Sequence, residues 1–163
     1  MTNVEVLGAR PRVEQIDSGI DPAARSKIAE SLGEILGSTY SLVVKTHVHH
    51  WNVVGPLFHS LHEMLEEQYT ELFEATDLFA ERIRALGFPA PVPAISVPAA
   101  AREMVAEEIV DDLIGDHEAI VRTMRQAALS AEDQKDIVTN DMLVGRMQLH
   151  EKTIWMLRAV VTK

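Results

Sequence analysis

The chain has 163 residues, 47% hydrophobic and 25% charged, the balance of one soluble globular domain, not of a disordered or collagen-like chain. No apolar run reaches the ~18 residues of a membrane span, no basic-then-apolar leader opens the chain, and the absence of cysteine excludes disulfides, thiolate metal sites and a cysteine nucleophile and fits a reducing cytoplasm. Fifteen Lys and Arg against 25 Asp and Glu leave a formal charge of −10, which disfavours nucleic acid as a partner unless the few basic residues cluster, and favours metal cations.

Residues 1–21 contain Gly8, Pro11 and Gly19 and no hydrophobic period, so they read as a flexible tail. Asp21-Pro22 is an N-cap followed by proline at the first helical position, which opens a single domain over 22–163. A first helix carries Ile28, Leu32, Ile35, Thr39, Leu42, Thr46 and His50 on one stripe, and Gly55-Pro56 ends it. A second carries Phe58, Leu61, Leu65, Leu72, Phe79, Ile83 and Leu86. Gly87 and the prolines at 89, 91, 93 and 98 form a stiff connector with no helix expected from Phe88 to Pro98. A third stripe follows at Ile109, Leu113, His117, Ile120, Met124 and Ala127, and a fourth at Val138, Met142, Gly145, Leu149, Met156 and Val160. Ser130 with Asp133 resembles a capping box and predicts the fourth helix to begin there. Four amphipathic helices without a period-two segment predict an all-α four-helix bundle. The long crossover between the second and third helices makes it ferritin-like, with those two helices parallel.

His50 closes the first helix, beside Trp51. His62 and Glu66 follow at i, i+4 on the second, and Asp77 and Glu81 repeat the spacing. At about 100° per residue, positions 62, 66, 77 and 81 fall at roughly 0°, 40°, 60° and 100°, one shared face. Yet 66 and 77 lie about 16 Å apart along the axis, and a carboxylate ligates at only ~2.0–2.2 Å. One ion cannot take ligands from both ends. A two-fold dimer resolves this: His50, His62 and Glu66 of one chain meet Asp77 and Glu81 of its partner, and symmetry creates two identical sites. Two imidazoles with three carboxylates suit Fe(II), Mn(II) or Zn(II), and the oxygen-rich set favours oxidation of iron. Either pair alone is the pattern of a solvated helix face. Five such residues on one surface beside a tryptophan are not.

These residues resemble the Dps family of mini-ferritins. The run His50-Trp51-Asn52-Val53-x-Gly55-x-x-Phe58-x-x-Leu61-His62-Glu63, then Asp77-x-x-Ala80-Glu81-Arg82, is similar to its ferroxidase signature, with offsets from His50 of 12, 16, 27 and 31. Asp116-His117-Glu118 and His150-Glu151-Lys152-x-x-Trp155 also look like the family. The resemblance implies a hollow shell of twelve chains, a cytoplasmic homo-oligomer. Fe(II) would be oxidised there at intersubunit two-iron sites, by hydrogen peroxide in preference to dioxygen, and stored as ferric oxyhydroxide against oxidative damage. It implies His50, His62, Glu66, Asp77 and Glu81 as catalytic ligands, with Trp51 beside them to quench stray oxidising equivalents. Glu66 departs from the aspartate of many members and reaches about one methylene further. The alternative is a shell-forming or nucleoid-associated protein whose site is inactive or filled by zinc.

Other residues fill supporting roles. His47, at i, i+3 from His50, is an auxiliary ligand candidate. His49 and His59 read as surface residues, His117 as a hydrogen-bonded core residue, and His150 receives no assignment. Glu63 and Glu67, with Glu71 and Glu74, form an acidic ridge that could nucleate mineral. Asp133, Asp136 and Asp141, at the expected start of the fourth helix, line a three-fold pore by family analogy. DNA binding, the family's other activity, is not expected: residues 1–20 hold no lysine and only Arg10 and Arg12.

Overall fold

A computed structural model describes residues 10–97 and 104–162. Four helices account for most of them: α1 (Pro22–Asn52), α2 (Phe58–Ala85), α3 (Ala106–Asp133) and α4 (Ile137–Val161). There is no strand among the described residues. The Asp21 carboxylate accepts from the Ala23 and Ala24 N–H groups, with Pro22 leading the first turn, as the sequence predicts. Gly55, at φ +93, turns the chain between α1 and α2.

The long-range pairs fix the helix directions. Arg25 donates to the Leu86 carbonyl at one end of α1, and His50 meets His62 at the other, so α1 and α2 are antiparallel. Lys45 pairs with Asp112 and Asp116, and His49 with Asp112. Farther back on α1, Ser38 and Ser41 share a cleft with Ile120 and Thr123. α1 and α3 are therefore antiparallel too, and α2 runs parallel to α3, as the crossover requires.

The crossover returns along α1. Ser96 N–H donates to the Ser41 hydroxyl. A Cβ on Gly37 would stand 2.8 Å from the Ala94 carbonyl oxygen, so only glycine lets the connector lie this close. The described part of the connector before α3, residues 86–97, holds no helix; Pro98 lies outside the described residues. Of the expected tail, residues 10–20 hold no helix or strand. Glu14 nevertheless donates its N–H to the Gly87 carbonyl at 2.8 Å and pairs with Arg84. Residues 1–9 lie outside the described residues.

The stripes of α1 and α3 face the core as predicted, with Ala127 only half buried. That of α2 does so from Leu61 onward; Phe58 is 44% exposed. Two expectations fail in the second half. Ser130 and Asp133 do not open a helix: they close α3, and Lys135 at φ +64 makes the turn before Asp136 caps α4. The α4 stripe is also displaced by one residue. Its buried positions are Thr139, Leu143, Arg146, Met147, His150, Ile154 and Leu157, while Val138 and Leu149 face outward. Three of those seven core positions carry polar side chains, so apolar spacing points to the neighbouring face.

Candidate metal centre

The end of α1 and the start of α2 bring two imidazoles together through their own backbones. His50 donates Nδ1–H to the His62 carbonyl at 2.9 Å, and His62 donates Nδ1–H to the His50 carbonyl at 3.0 Å. A carbonyl oxygen can only accept, so both protons sit on Nδ1 and both Nε2 lone pairs are free. The rings stack with centroids 3.8 Å apart at 20°. This reciprocal lock fixes tautomer and orientation, which is what outer-shell partners supply to a ligating histidine. Glu66, one turn after His62, completes the set: ligand atoms of His50, His62 and Glu66 lie within 4.8 Å of one another. Among the described residues this is the one such cluster of three or more acidic, histidine or cysteine side chains.

Asp77 and Glu81 do not join it. Both are exposed farther along α2, which is unbroken from Phe58 to Ala85. Three of the five predicted ligands therefore converge within one chain and two stand apart. Trp51, next to His50, is 62% exposed.

His47 lies in an aromatic stack and not in the cluster. Its ring centroid is 4.2 Å from Trp51 and 4.2 Å from Tyr69, and 5.9 Å from His50. Tyr69 also sets its edge toward His50 at 5.4 Å, and Phe58 covers His62 at 5.0 Å. The sequence reading passed over Tyr69; its place one turn beyond Glu66 on the ligand face was the available signal.

The remaining candidates divide. Glu63, Glu67 and Glu74 are exposed. Glu71 is bound by the Arg146 guanidinium through both oxygens. His59 is exposed as expected, but His49 is buried and bonded to Asp112 at 3.1 Å. Burial alone would raise the Asp112 carboxyl. The hydrogen bonds and charges of Lys45 and His49 outweigh that and hold it below its ordinary value. Asp133 belongs to α3, and Asp141 is exposed on α4. Asp136, only 1% exposed, caps α4 through Thr139 and pairs with Arg82 at 2.7 Å. Burial would raise its carboxyl too, but the bonds from Thr139 and Arg82 hold it low.

The ferritin-like domain family matches residues 29–163. DNA protection during starvation protein 2 of Bacillus anthracis is 34% identical over 144 residues, covering 84% of this chain and 98% of that protein. The chain belongs to the Dps family. A Dps crystal structure from Bacillus brevis superposes with a TM-score of 0.80 at 32% identity, covering 86% of this chain and 98% of that one. A low temperature-induced protein of Nostoc is 36% identical, covering 90% of this chain and 87% of that protein. This Dps chain thus carries the fold and, within one chain, a three-residue cluster that could hold a metal ion. No helix among the described residues is long and apolar enough to cross a membrane.

Proposed function

We propose that the chain is an iron-sequestering ferroxidase of the Dps type. His50, His62 and Glu66 of one chain hold Fe(II) together with Asp77 and Glu81 of a second chain, two irons to a site. The observation that carries this reading is the reciprocal Nδ1–H lock of His50 and His62, which leaves two Nε2 lone pairs beside the Glu66 carboxylate. Membership of a ferritin-like family supports iron handling in general. Each of two Fe(II) ions gives one electron to hydrogen peroxide, and water hydrolyses the product to ferric oxyhydroxide with release of protons. Carboxylates favour the ferric state, so Glu66, Asp77 and Glu81 supply the driving force and the imidazoles the affinity. Trp51, with His47 against it and Tyr69 stacked on His47, is placed to take up stray oxidising equivalents.

The product is stored inside a cytoplasmic shell of twelve chains. Glu63 and Glu67 offer exposed carboxylates for mineral nucleation, and Asp133 and Asp141 remain for a cation pore; Asp136 is committed to Arg82 and the α4 cap. A charge of −10 per chain opposes DNA binding.

The test is an anaerobic load of Fe(II), then stoichiometric peroxide, followed by size exclusion with iron and protein read together. Ferric iron eluting with a large particle, at many irons per chain, supports the reading. Free or precipitated iron beside an intact large particle overturns it. A zinc-filled or structural shell would then take its place, since zinc binds such ligands at least as well as Fe(II).

A further inference from the structure

A second pair of imidazoles lies between α3 and α4, away from the His50 cluster. His117 and His150 are each 2% exposed, with Nδ1 atoms 2.8 Å apart and ring planes at 58°. Two neutral rings in this contact share one Nδ1 proton. The donor ring then has a bare Nε2, and the acceptor ring carries its proton on Nε2. Both Nε2 atoms are buried without a partner, and so is Oε1 of Gln68 on α2. His117, His150 and Gln68 line one cavity of about 170 Å³, together with Glu71 and Thr153.

Three residues that share one cavity thus each carry an unpartnered buried polar atom, which is uncommon in a folded core. The ring nitrogens say what fits. A tetrahedral ion with nitrogen ligands at 2.0–2.1 Å separates them by about 3.3 Å, so opening the 2.8 Å pair by about half an ångström admits one ion between the two Nδ1 atoms. The shared proton moves to Nε2 of its own ring, and none is released. Each ligating ring then presents an Nε2–H, which requires an outer acceptor, and Gln68 Oε1 is an acceptor lacking a donor. Water or Glu71, now held by Arg146, completes the coordination; the cavity has room for several waters. Burial holds His117 and His150 neutral, so the shared Nδ1 proton is the one that has to move.

We propose that His117 and His150 form an intrachain metal site for a late first-row divalent ion such as Zn(II) or Co(II), inside the bundle and separate from the shared iron site. Imidazole-led coordination favours these ions over Mg(II) or Mn(II).

Co(II) is the probe, with binding read by equilibrium dialysis and visible absorption. The background is His62→Ala, which disables the first cluster. In that background the chain is expected to hold about one Co(II) that His62→Ala/His150→Leu loses, with affinity reduced at least ~10-fold. Equal binding by the two variants overturns the proposal. Should His150→Leu fail to fold, crystals of the unaltered chain soaked in Zn(II) decide by anomalous scattering. A peak between the two Nδ1 atoms supports the site; an unchanged 2.8 Å contact with only water in the cavity overturns it.

Discussion

The buried imidazole pair makes acid stability calculable. Burial, then the charge of neighbouring His150, pushes His117 down from 6.5 to about 3 against the opposing pull of Glu71. Burial, then the Arg146 guanidinium, pushes His150 down to about 3 as well. Both values are lower folded than unfolded, so between about 3 and 6.5 the unfolded chain binds more protons and stability falls as pH falls. At pH 5 the unfolded rings are almost fully protonated and the folded ones are not. Each ring then costs about 2 kcal/mol relative to pH 7, and the pair about 4 kcal/mol. Asp112 and Asp136, both held low, act in the same direction, but their contribution is lost mainly as pH falls through and below 3.8, beneath the range from pH 7 to pH 5. For a chain of this size, ~4 kcal/mol corresponds to roughly 8–16 °C in melting temperature. The assay is calorimetry at pH 7 and pH 5 with chelator present, on the parent and on His117→Leu/His150→Leu. Replacing both rings by apolar groups of similar size removes both unpartnered ring nitrogens together, so that variant should lose much less of its melting temperature on acidification. Equal losses in parent and variant would refute the argument and place the acid sensitivity elsewhere.

Other outcomes follow from single contacts. Asp136→Ala removes the α4 cap and strands the half-buried Arg82 guanidinium, and should cost about 3–5 kcal/mol in chemical denaturation. Gly37→Ala puts a Cβ against the Ala94 carbonyl; a cost of ~1–3 kcal/mol and faster amide exchange across residues 91–97 are expected. Shells assembled from mixed His62→Ala and Asp77→Ala chains should regain peroxide-driven iron oxidation at about a quarter of sites, since each mixed pair holds one intact and one doubly broken site. Mixing that never exceeds either parent means the ligands do not come from two chains. At ~150 mM salt and neutral pH the protein should leave duplex DNA unshifted on a gel.

What the sequence made legible follows where hydrophobicity and helical period agree. On α1 and α3 the core faces are apolar enough to reveal their phase. The few polar intruders on those stripes, Thr39, Thr46, His50 and His117, fall in phase without shifting them. On α4 the core face carries Thr139, Arg146 and His150, each with a partner: Asp136, Glu71 and His117. The partners of Arg146 and His150 come from α2 and α3, so nothing local marks those two as buried, and the apolar Val138 and Leu149 draw the phase one residue away. The same blindness hid the α3–α4 turn. Asp136 caps a helix, but its burial depends on Arg82, 54 positions earlier.

The His50, His62 and Glu66 cluster was legible for the opposite reason. His62 and Glu66 are one turn apart, and His50 ends the neighbouring helix, so a short loop suffices to bring them together. The carbonyl lock that turns both Nε2 atoms free could not be read, because it depends on how closely α1 and α2 pack. The limit of a single chain is equally physical. α2 is unbroken through both the His62/Glu66 and the Asp77/Glu81 pairs, and about 16 Å of helical rise separates Glu66 from Asp77. No side-chain rotation closes that gap. Whatever Asp77 and Glu81 do, they do it away from the Glu66 of their own chain, and a rigid helix that repeats its ligand spacing at both ends is most economically used by a second copy running the other way.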